Sequence, residues 1–108
     1  MLKTFDEVYT DAITADDLVV QAATTALNAG LITSVQAQRI QVMTVDAKNL
    51  LMAAQTAFIA GNQVTANQDV TAAAATLIAM GLCLSQKPLT VTTFAACAAT
   101  VPPVGMQK

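Results

Sequence analysis

Apolar residues recur along this chain at alternating steps of three and four, and that rhythm limits the fold more than any other feature. Phe5, Val8, Ala12, Ala15, Val19, Ala22, Ala26 and Ala29 follow one another without a break, and Ile40, Met43, Ala47, Leu50, Ala54 and Ala57 repeat the pattern. Residues three and four apart share one face of an α-helix, whereas a half-buried strand needs steps of two. The chain is therefore read as all-α, with coiled-coil-like seams built largely of alanine. Small seam residues let helices approach toward the close end of the usual range of about 8–10 Å.

Start and stop signals divide the pattern into three helices. Thr4-Phe5-Asp6-Glu7, Thr33-Ser34-Val35-Gln36 and Thr65-Ala66-Asn67-Gln68 each fit a capping box, in which a hydroxyl and an acid or amide three residues later satisfy each other's backbone N–H groups. Gly30 and Gly61 stand between them, where a helix commonly ends in the left-handed conformation. Helices over 5–29, 34–60 and 66–84 follow, the first two joined as an antiparallel hairpin and the third completing a three-helix bundle over 1–87. Gly81 is expected to end the third helix early or to admit another backbone. Pro88 ends the helical region, and the β-branched run from Leu89 to Phe94 predicts an irregular or extended tail over 88–108, with room for one helical turn at 94–99. The segment Val101-Pro102-Pro103-Val104-Gly105 is expected to run extended along the helices or a neighbour.

Each helix carries more apolar surface than one seam uses. The second helix has an offset stripe of Val35, Val42, Val45, Met52 and Ile59; the first has Tyr9, Ile13, Val20, Ala23 and Leu27. The third is apolar over most of its circumference, Ile78 and Leu82 included, which places it centrally or at an interface. Composition sharpens the point: 55% of the 108 residues are hydrophobic but only 11% charged and 4% aromatic, much of the apolar content being alanine. An alanine core removes little area from water per residue, so contacts with other chains are expected to supply part of the stability. Val35, Val42, Val45, Met52, Ile59, Ile78 and Leu82 are the candidate interface residues. Met43, Met52 and Met80 lie on apolar faces and read first as core filler.

Chemistry-bearing residues are few. Histidine and tryptophan are absent, and no phosphate-binding loop or nucleophile motif occurs. The pairs Asp6/Glu7 and Asp16/Asp17 are sequence neighbours, about 100° apart on a helix, and read as solvated side chains rather than an acid–base pair or a calcium loop. No catalytic residue, metal ligand, cofactor site or small-molecule substrate is assigned, and the chain is read as non-enzymatic. With net charge −2 and scattered basic residues Lys3, Arg39, Lys48, Lys87 and Lys108, no nucleic-acid footprint exists. The most apolar stretch, 70–84, is shorter than the roughly 20 residues that cross a bilayer. Cys83 and Cys97 lack zinc or Cys-x-x-Cys spacing. A disulfide stapling the tail to the third helix and a pair of buried free thiols stand as equal readings, because the first needs an oxidising compartment and the amino terminus shows no leader.

Ala29-Gly30-Leu31-Ile32-Thr33 at the first turn, the alanine- and threonine-rich helices around it and the late cysteine pair resemble small helical proteins encoded in phage and prophage late regions, some of them mature domains of short lipoproteins. The resemblance spans residues 4–86 and lacks a lipobox leader. The opening Met1-Leu2-Lys3-Thr4-Phe5-Asp6-Glu7-Val8 is similar to helical head-to-tail connector subunits of tailed phages. It implies a structural role in virion assembly, as an oligomer or with protein partners, in the virion or host cytoplasm. A periplasmic or secreted binding module, stapled through the cysteines after leader removal, is the alternative.

Overall fold

The computed structural model describes residues 4–101, which form four helices and no strand: α1 (Phe5–Asn28), α2 (Ser34–Ile59), α3 (Gln63–Leu84) and α4 (Val91–Ala98). The tail segment 102–105 lies outside the described residues. α1, α2 and α3 each pack against the other two, and α4 rests on α3. Phe5 stacks on Phe58 with ring centroids 4.4 Å apart, and the Tyr9 hydroxyl donates to Gln55 Oε1 at 3.4 Å. The start of α1 therefore meets the end of α2, and the hairpin is antiparallel.

The first two capping boxes form as read. The Glu7 N–H donates to Thr4 Oγ1 at 3.2 Å, and the Thr33 N–H donates to Gln36 Oε1 at 2.9 Å, with both reciprocal bonds made. Gly30 and Gly61 take φ of 75° and 87°, and behind them Leu31 N–H reaches Ala26 O and Asn62 N–H reaches Ala57 O. These six-to-one bonds satisfy carbonyls that the helix ends would leave open.

Three expectations are corrected. α3 begins at Gln63, three residues before the predicted start, because Asn62 caps it: its side-chain oxygen accepts from Thr65 N–H at 3.3 Å. Asparagine directly after a left-handed glycine can serve both helix ends, and it leaves Thr65 within the first turn. Gly81 neither ends α3 nor meets a backbone; a Cβ there would touch Val19 Cγ2 at an ordinary 3.8 Å. The run after Leu89, read as irregular or extended with a turn at 94–99, is helical from Val91. Thr90 and Thr93 form a capping box at its start, and Phe94, only 3% exposed, anchors it in the core. The helix penalty of β-branched residues is a few tenths of a kcal/mol each, small beside the burial of a phenylalanine.

Burial follows the steps of three and four, on a seam slightly rotated in α1. Ala12, Asp16, Val19, Ala23 and Ala26 face inward there, while Ala29 caps the helix and is exposed. In α2 the inward residues are Ile40, Thr44, Ala47, Leu50, Leu51 and Ala54. The core divides into two apolar lobes, one around Leu51 and Leu77, the other around Val19, Ile40, Met80 and Phe94.

Candidate functional site

The outer face of α2 is the most distinctive surface. At 100° per residue, Val35, Val42, Val45, Met52 and Ile59 spread over about 120° of the helix surface, and their mean direction lies about 165° from that of Ile40, Ala47, Leu51 and Ala54. All five are exposed, between 52% and 77%. On α3, Ile78 and Leu82 are exposed at 56% and 67%. Each of the seven residues singled out in the sequence thus faces outward, and Met52 is not core filler as Met80 is. The α1 stripe is different: Ala23 is buried, Tyr9 and Ile13 are half-covered, and Val20 and Leu27 edge a groove of about 530 Å³ whose opposite wall is Ala37, Gln38 and Gln41 of α2. That stripe is covered only in part, since Val20 and Leu27 remain exposed at 46% and 38%.

Cys83 and Cys97 are disulfide-bonded, with Cα atoms 5.6 Å apart. Cys83 lies near the end of α3 and is buried, and Cys97 lies in the last turn of α4, so the bond crosses the α3–α4 interface; α4 is also tied to α2, where Gln36 Nε2 donates to Val91 O at 3.1 Å. It closes the same segment whose Leu89 and Phe94 fill the second lobe of the core.

The acidic pair Asp16/Asp17, read as solvated, splits in two. Asp17 is exposed, whereas Asp16 is 2% exposed and neither of its carboxylate oxygens meets a hydrogen-bond partner among the described residues. Along α1 it stands between Ala12 of one apolar lobe and Val19 of the other, as the buried Thr44 stands between Ile40 and Ala47 on α2. The sequence does carry the signal: Asp16 is four residues after Ala12 and three before Val19, on the seam itself. Burial pushes its carboxyl above the ordinary value of 3.8; Lys48 pulls it back in part, and Asp17 adds to the rise. The unfolded chain therefore releases this proton at lower pH than the native chain does. Native stability falls as pH rises across the interval between the two values and stays lower above it. Asp16→Asn is expected to raise stability at neutral pH by about 1 kcal/mol and to flatten that dependence. Urea titrations of both proteins from pH 3 to 8 check this, and parallel curves would rule it out.

Among the described residues, no group of three or more His, Cys, Asp or Glu side chains is placed to hold a metal ion, and no helix is long and apolar enough to cross a membrane. Comparison with known protein families, with curated proteins and with solved structures finds no match to the chain.

Proposed function

We propose that the chain is a non-enzymatic assembly protein: a three-helix bundle with coiled-coil-like alanine seams whose outer apolar faces pack against other protein surfaces. One observation carries the reading. Val35, Val42, Val45, Met52 and Ile59 form an exposed stripe opposite the core of α2, interrupted by Gln38 and Asn49, and no element of the described chain covers it. Scattered surface apolar residues are ordinary, but an aligned row running the length of a helix is characteristic of protein contact. The chemistry in reach suits packing rather than catalysis: neither of the two buried acids among the described residues, Asp16 and Asp69, lines the groove between α1 and α2. The texture shared with small helical phage proteins agrees with a structural role of this kind, in a virion or its assembly.

Size-exclusion chromatography with light scattering tests the proposal. The expected mass in the micromolar range exceeds the 11.1 kDa of one chain, and Val42→Asp with Met52→Asp returns it to that value without loss of helical circular dichroism. A wild-type protein that remains at one-chain mass and does not adhere to other proteins overturns it.

A second reading draws on the Cys83–Cys97 bond. Stable disulfides belong to oxidising compartments, which fits a stapled binding module outside the cytoplasm. Mass spectrometry of native material separates the two: oxidised cysteines favour the module, and free thiols remove its support.

A further inference from the structure

The outer face of α2 carries enough pattern to identify its occupant. Its outward positions follow heptad spacing from Val35 through Gln38, Val42, Val45 and Asn49 to Met52, all exposed. Two of these six are amides, and a lone amide in an apolar seam is costly unless it meets another polar group. Arg39 and Asp46, seven residues apart and both exposed, flank the same edge of the stripe.

Resting on the assembly reading above, we infer that the occupant is a second copy of this chain, with the two α2 helices packed antiparallel about a two-fold axis at the level of residues 43 and 44. In antiparallel packing the first apolar position of a heptad faces the fourth of its partner. With the axis at that level, Val42 of one copy meets Val45 of the other and Val35 meets Met52. Gln38 then meets Asn49, so each stripe amide finds an amide. Every contact occurs twice by symmetry. The same placement sets Arg39 of each copy against Asp46 of the other, and Gln41 against Lys48. The overlap of residues 35–52 is about 27 Å long at 1.5 Å per residue, with Ile59 beyond its end.

The alternatives pair less well. Centring the axis on residue 47 covers the full stripe, but it brings Asp46 against its own counterpart and Lys48 against its own, and it leaves Asn49 facing Val45. A parallel pair stacks Asn49 on Asn49 but places Arg39 beside Ser34 and Asp46 beside Gln41, so no opposite charges meet. Charge complementarity and polar matching therefore select one register.

Charge reversal with rescue tests it on the full, oxidised chain by sedimentation equilibrium at low salt. Arg39→Asp alone and Asp46→Arg alone each create two like-charge contacts and are expected to weaken dimerisation by about tenfold or more. The double variant restores both pairs and is expected to return the dissociation constant to within about threefold of wild type. All three should keep wild-type circular dichroism, since both side chains are exposed. Association of wild type without rescue in the double variant overturns this pairing and leaves the assembly reading standing. A monomeric wild type overturns both.

Discussion

Leu77→Ala is expected to cost about 2–5 kcal/mol of unfolding free energy, near the upper end of that range, while Leu82→Ala five residues on costs less than about 0.5. Leu77 is fully buried in α3, the helix that contacts all the others, whereas Leu82 is 67% exposed. The reason for the high cost is the company Leu77 keeps. Its lobe contains Ala12, Ala47, Ala54 and Ala73, each already trimmed to a methyl group, so few side chains are long enough to swing into the space a lost isobutyl group leaves. In a core this rich in alanine, Leu51, Leu77 and Ile40 hold a large share of the buried area. Urea unfolding of both variants gives the comparison directly. Equal losses would mean that α3 is turned differently about its axis.

Opening the disulfide should produce the second large effect. Its loop spans 14 residues, for which the chain-entropy account gives about 3 kcal/mol. Cys83→Ala with Cys97→Ala is then expected to lower the melting temperature by roughly 10–20 °C, since each kcal/mol is worth about 4–8 °C in a domain near this size. The loss should be unevenly distributed. α4 is eight residues long, far below the length at which a helix persists alone in water, and it is held by the burial of Phe94, by the sulfur bridge to α3 and by the hydrogen bond that Gln36 Nε2 of α2 donates to Val91 O. Amide hydrogens of Val91–Ala98 should therefore exchange faster by a larger factor than those of α1 and α2. Uniform acceleration along all four helices would show instead that α4 belongs to the same cooperative unit.

The two experiments probe different parts of one arrangement. Leu77 belongs to the lobe formed by α1, α2 and α3 alone, and the disulfide to the lobe that α4 completes. Asp16 stands between them along α1, after Ala12 of the first lobe and before Val19 of the second. Its removal isolates the cost of one buried carboxylate in a seam otherwise made of alanine and Val19.

What was legible in the residues is what local chemistry decides. The helical class, the Thr4 and Thr33 caps, the glycine turns at 30 and 61 and the inward seam of α2 all depend on contacts between residues a few positions apart, and periodicity or a cap motif reports these directly. The offset stripe of α2 was readable as a face apart from the seam, whereas the apolar circumference of α3 did not say that Ile78 and Leu82 would be the exposed side. Other features rested on contacts between segments far apart in the chain. α3 is capped by Asn62 rather than Thr65 because a turn already shaped by Gly61 offers the earlier cap. α4 formed despite β-branched residues because Phe94 and Cys97 had a buried surface on α3 to join, and Asp16 went inside because α2 and α3 closed over the rotated seam of α1. Short-range signals name which helices can exist; which side of each is covered depends on the free energy of packing it against its neighbours, and only the assembled structure contains that information.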